Sequence, residues 1–188
     1  ERILLKTHNA AGIYDVGEFP SRKYSEKAVY VVRDPRDVAV SYSRHFGLSL
    51  ESAINSLINE SNINFIPEDM SRGEFLSSWG NHVKSWKQVP IPVLQLRYED
   101  LIEKPAKQIK KVLTFLDIKP VITIEDVVTL TNFEKLAEQE KTGGFAEAGK
   151  NDFFFREGKR SQWMQFDEKK FEKLIIKFEP VMRNLGYL

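Results

Sequence analysis

The five residues Ala28-Val29-Tyr30-Val31-Val32 form a continuous, largely β-branched apolar run that stops at Arg33-Asp34-Pro35-Arg36-Asp37. A run that is apolar on both faces reads as a strand covered on both sides, the habit of parallel sheets. The charged segment directly after it reads as a helix start. Asp34 suits the N-cap, Pro35 suits the first helical position, Asp37 stands three after the cap, and Val38 to Phe46 continue the helix. A buried strand that runs directly into a capped helix is half of a strand–helix–strand unit and restricts the chain to α/β folds.

Other segments fit that frame. Ile3 to Leu5 read as a short strand ending at Lys6-Thr7-His8, and Val93 to Tyr98 as another ending at Glu99-Asp100. Residues 9 to 27 read mostly as loop, 49 to 60 as a helix, and 61 to 72 as a polar loop around Pro67. Phe75, Trp79, His82, Val83 and Trp86 recur at helical spacing and predict an amphipathic helix over 73–88. Ile109, Val112, Leu113 and Leu116 mark another helix. Short helices are expected near 125–130 and 133–139, with a closing amphipathic helix near 168–185. The expected fold is α/β, a mainly parallel sheet flanked by helices, in one domain over 1–188. Ligands of such folds bind beyond the carboxyl ends of the strands. That rule places Lys6-Thr7-His8, Arg33 and Tyr98 along one edge.

Composition narrows the function. The 188 residues carry 28 Lys plus Arg against 27 Asp plus Glu, a net charge of +1, so an anion site must be local rather than a bulk field. Nucleic acid is therefore not an expected partner. The absence of cysteine excludes disulfides, thiolate catalysis and cysteine-held metals. No apolar run approaches the roughly 20 residues of a membrane helix.

Four constellations could carry chemistry. At Arg33 to Ser41 a strand-end guanidinium meets a helix start, whose N–H groups and dipole favour anions, and Ser41 offers a hydroxyl about two turns in. An ion pair of Arg33 with Asp34 or Asp37 is the competing role. In Lys6-Thr7-His8, His8 can act as a general base, imidazole being the side chain that exchanges a proton near working pH, and Lys6 can neutralise a transferring anion. Arg156-Glu157-Gly158-Lys159-Arg160, with Trp163, reads as a basic loop whose glycine lets the backbone approach a phosphate, or else as a solvated charge run. In Thr131-Asn132-Phe133 the ring can stack on a base or pack in a core. Three histidines at these spacings do not suggest a metal site.

Taken in order, Lys6-Thr7-His8, Val31 to Tyr42, Leu96-Arg97-Tyr98-Glu99-Asp100-Leu101, Thr131-Asn132-Phe133 and Phe155-Arg156-Glu157-Gly158 resemble the sulfotransferases that use 3′-phosphoadenosine-5′-phosphosulfate (PAPS), of the cytosolic and bacterial type, over nearly the whole chain. The resemblance implies a sulfotransferase fold of the P-loop-nucleotide-hydrolase kind and transfer of a sulfuryl group to a hydroxyl. The product is 3′-phosphoadenosine-5′-phosphate (PAP), no metal is required, and the setting is cytoplasmic. It implies that Arg33 and Ser41 bind the 3′-phosphate, that Arg156 and Gly158 close over it, and that Tyr98, Thr131 and Phe133 line the adenine. His8 would be the base, with Lys6 beside the sulfuryl group. The partner is a small-molecule hydroxyl acceptor, and a homodimer is compatible with the resemblance. Two departures stand out: Glu157 replaces the lysine of the usual Arg-Lys-Gly, and the upstream 5′-phosphosulfate loop, of the form Pro-Lys-Ser-Gly-Thr-Thr-Trp, is absent. The expectation is that these residues are the C-terminal portion of a longer domain. A nucleotide-dependent kinase of related architecture and a non-catalytic nucleotide-binding remnant are the alternatives.

Overall fold

The computed structural model describes residues 2–14, 17–66, 69–144, 158 and 160–188. In chain order the strands are β1 (Gly12–Tyr14), β2 (Gly17–Phe19), β3 (Ala28–Val32), β4 (Ile63–Ile66), β5 (Asp69–Phe75) and β6 (Val93–Arg97). The helices are α1 (Pro35–Phe46), α2 (Leu50–Ile58), α3 (Trp79–Gln88), α4 (Tyr98–Glu103), α5 (Pro105–Leu116), α6 (Ile124–Leu130), α7 (Phe133–Gly143) and α8 (Glu172–Leu185). The chain divides into two compact units: Glu1–Ala28 with Glu51–Val93 and Lys169–Leu188, and Val29–Leu50 with Leu94–Glu168.

The second unit holds the strand–helix passage that the apolar run predicts. Strands β3 and β6 are neighbours in one sheet, and the Ala28 N–H donates to the Pro92 carbonyl at 3.0 Å, so the two strands start level and run parallel. Val32, Leu96, Ala39 and Val40 are buried around this passage. Burial also pushes the Tyr30 hydroxyl pKa up. Helices α1 and α5 each begin with proline, where the missing N–H costs nothing. Thr123 caps α6 through the Asp126 N–H, and Asn132 caps α7 through the Lys135 N–H. Tyr98 does not end the strand; it opens α4.

The first unit is built on α3 and α8. Val83 and Trp86 of α3 and Leu174, Phe178 and Met182 of α8 are buried, and the Trp79 and Phe178 rings meet at 5.3 Å. Gly80 permits this approach, because a Cβ there would lie 2.7 Å from Cδ1 of Phe178. Two antiparallel hairpins, β1–β2 and β4–β5, complete the unit.

Three expectations are corrected here. Residues 3 to 5 form no strand; their side chains are exposed, Leu5 at 88%, and no ladder partner stands beside them among the described residues. Within 61–72 the described residues of Ile63–Ile66 and the first part of Asp69–Phe75 are strand rather than loop, paired so that Ile63 opposes Phe75 and Asn64 opposes Glu74. Consequently the predicted helix over 73–88 begins only at Trp79, where the Ser78 hydroxyl caps it by accepting the Asn81 N–H at 3.3 Å. Phe75 shares the helical spacing by coincidence. Among the described residues no helix is long and apolar enough to cross a membrane.

Candidate active site

Arg33 follows the last residue of β3, and Tyr98 follows the last residue of β6. Parallel pairing brings these ends together. The Arg33 guanidinium carbon lies 4.4 Å from the centre of the Tyr98 ring, a cation–π stack, and its Nη2 is 3.4 Å from Oδ2 of Asp37. The Arg33 side chain is 18% exposed and that of Asp37 is 1% exposed, so both charges are largely withdrawn from water.

The first turn of α1 is not the bare anion cradle that a helix start suggests. Asp34 accepts the Arg36 N–H at 2.9 Å, while its own N–H donates to Glu99 Oε1 at 3.2 Å. Asp37 does not reach back to complete a capping box. Its carboxylate instead accepts the backbone N–H groups of Ser161, at 2.7 Å, and Trp163, at 3.0 Å. Arg36 is buried, forks onto Asp34 at 2.6 Å, and lies 3.8 Å from the centre of the Trp163 ring. Within the motif, then, Asp37 and the Asp34–Arg36 pair tie the start of α1 to residues 161–163, and Arg33 stands at the strand end against Tyr98 and Asp37. Sequence reasoning gave no role to Arg36 or Glu99, and placed Trp163 only beside the basic loop. The available signal was the density of charge, four ionisable residues in five directly after an apolar strand.

Gly158 lies flat against Phe133. A Cβ on Gly158 would stand 2.8 Å from Cγ of that ring, and its φ of +57° is in the left-handed region. Thr131 ends α6, its hydroxyl donating to the Val127 carbonyl at 2.7 Å, which leaves the oxygen's lone pairs available. Ser41 is exposed on α1. Arg156 and Glu157 lie outside the described residues. The Arg33–Tyr98 stack and the Gly158–Phe133 contact both lie in the second unit. Among the described residues no group of three or more His, Asp or Glu side chains is arranged to hold a metal ion.

Lys6 and His8 belong to the other unit, and both are exposed. The backbone around His8 is held from α3: His82 Nε2 donates to the His8 carbonyl at 3.0 Å and Trp86 Nε1 donates to the Asn9 carbonyl at 3.0 Å. Burial lowers the His82 pKa; the bond to His8 opposes that shift, and the charge of the His8 ring adds to it.

Residues 2–186 match the sulfotransferase domain family, and the chain belongs to that family. It is 33% identical over 138 residues to sulfotransferase 1A1 of Rattus norvegicus, covering 72% of this chain and 45% of that protein. It is 30% identical over 187 residues to cytosolic sulfotransferase 8 of Arabidopsis thaliana, covering 92% of this chain and 53% of that protein. The chain thus spans about half the length of these curated relatives. Mouse sulfotransferase SULT7A1, solved in complex with PAP, shares the fold with a TM-score of 0.67 at 21% identity, over 92% of this chain and 63% of that one.

Proposed function

We propose that this chain carries the 3′-phosphate site and the acceptor base of a cytoplasmic sulfotransferase that moves a sulfuryl group from PAPS to the hydroxyl of a small molecule, within one sulfotransferase domain. The observation that carries the reading is the Arg33 guanidinium, stacked on Tyr98 and held by Asp37 where two parallel strands end. A guanidinium fixed in this way has the planar fork that matches phosphate and meets it with little further ordering.

PAPS supplies the activated sulfuryl group. Arg33 and Ser41 hold its 3′-phosphate, and Arg156 and Gly158, the latter lacking a side chain, close over the same group. Tyr98, Phe133 and the Thr131 oxygen line the adenine, the last accepting from an exocyclic amine. His8 takes the acceptor's hydroxyl proton as the new S–O bond forms and the S–O bond to the 5′-phosphate breaks. Lys6 offsets the charge that gathers on the transferred group. Positioning and electrostatics supply the rate, as in phosphoryl transfer.

Calorimetry tests the reading. PAP should bind much more tightly than adenosine 5′-phosphate, and Arg33→Ala should remove that preference, weakening PAP by about 2–4 kcal/mol for a lost charge-assisted contact. Equal affinity of the two nucleotides, or a preference for ATP with magnesium, would overturn the assignment.

A further inference from the structure

His82, Ser85 and Trp86 stand at i, i+3 and i+4 of α3 and therefore share one face. Each uses a side-chain polar atom on the backbone of one short segment. His82 Nε2 bonds the His8 carbonyl at 3.0 Å, Trp86 Nε1 the Asn9 carbonyl at 3.0 Å, and Ser85 Oγ accepts the Ala11 N–H at 3.0 Å. Ser85 in turn donates to the His82 carbonyl at 2.8 Å, which fixes its lone pairs toward Ala11. The end of β5 clamps the same segment: the Phe75 N–H donates to Asn9 Oδ1 at 2.7 Å and the Ala10 N–H to the Phe75 carbonyl at 2.8 Å. His8 itself is exposed. An exposed ring has no packing to aim it, so its location is set by its backbone.

We infer that His82, seated on the His82–Ser85–Trp86 face of α3, is a positioning residue that holds the His8 carbonyl and so places the His8 ring for proton abstraction. The inference rests on the reading of His8 as the base. Because a carbonyl only accepts, Nε2 of His82 carries the hydrogen. A glutamine can place an amide donor at that point, whereas a leucine fills the space with no donor.

The experiment measures turnover and PAP affinity in the full-length protein for His82→Leu and His82→Gln, each with His8 intact and with His8→Ala. His82→Leu should lower kcat about tenfold to a hundredfold, the scale of a misplaced catalytic group. PAP affinity should stay unchanged, and His82→Gln should recover most of the loss. With His8→Ala in place, His82→Leu should add nothing. An equal drop in both backgrounds, or none in either, overturns the inference. Full turnover in His8→Ala alone removes the base assignment, and this inference with it, a result read without any His82 variant. Should His82→Leu not fold, Ser85→Ala loses the Ala11 contact together with its bond to the His82 carbonyl, leaves the imidazole in place, and must show the same dependence on His8. An equal loss with and without His8 overturns the inference there as well.

Discussion

The carboxylate of Asp37 accepts the backbone N–H of Ser161 at 2.7 Å across 124 residues of chain, and its second oxygen takes the Trp163 N–H at 3.0 Å. The same carboxylate is 3.4 Å from the Arg33 guanidinium. One buried side chain therefore orients the cation assigned to the phosphate and the stretch of backbone beyond Gly158. Helix α1, usually the anion binder in such a passage, here spends its first-turn acid on its own fold.

Asp37→Asn keeps the shape but leaves one amide NH2 facing N–H donors. It should destabilise the fold by about 2–4 kcal/mol, the range for breaking a buried, hydrogen-bonded pair. Urea unfolding reads this as a lowered midpoint at unchanged slope. An unchanged midpoint would mean that solvent screens this carboxylate.

Gly158 faces two constraints, its φ of +57° and the Phe133 ring, whose Cγ lies 2.8 Å from where a Cβ would stand. Gly158→Ala should weaken PAP about tenfold, roughly 1.4 kcal/mol. Gly158→Asn separates the causes, since asparagine tolerates left-handed backbone but still carries a Cβ. Equal losses for Ala and Asn identify the ring contact as decisive; near-normal affinity for Asn identifies the backbone.

Much of this was legible in the chain. The apolar strand, Asp34 and Pro35 specify the β3-to-α1 passage by local chemistry alone, and the order of short motifs pointed to the family. The partners of Asp37 were not legible, because Ser161 and Trp163 contribute backbone N–H groups that every residue but proline possesses. Likewise Trp86 and His82 read correctly as one amphipathic face, yet nothing local says that their ring nitrogens bind residues 8 and 9. The β4–β5 pairing was hidden because β5, Asp69–Phe75, is mostly polar and its one aromatic, Phe75, also fits the helical spacing of α3.

Gly80 sets the approach of α8 to α3. A methyl there would meet Phe178 Cδ1 at 2.7 Å, and Phe178 is 3% exposed with Trp79 against it, so the ring has little room to move. Alanine normally strengthens a helix interior by about 1 kcal/mol over glycine. Overpacking of a filled core costs about 1–3 kcal/mol and should win here. Gly80→Ala should therefore lower Tm, and Gly80→Ala with Phe178→Leu should recover part of the loss. A raised Tm in the single variant would show that the helices separate freely.

His82 links stability to pH with a definite sign. Burial holds its folded pKa below the unfolded value of about 6.5. The unfolded chain therefore binds the proton more readily, and stability rises with pH between the two values. Its contribution is fully present above about pH 6.5 and is lost as pH falls through that point toward the folded value, below which the dependence levels off. Melting curves from pH 8 to pH 5 should show a steeper acid loss for the native sequence than for His82→Gln, whose amide does not titrate. The comparison matters because acidic groups elsewhere also add to the slope, equally in both proteins. Identical slopes would mean that His82 takes up its proton in the folded chain as easily as in the unfolded one. A shallower slope in the native sequence would reverse the sign and place a stabilised imidazolium beside the His8 carbonyl.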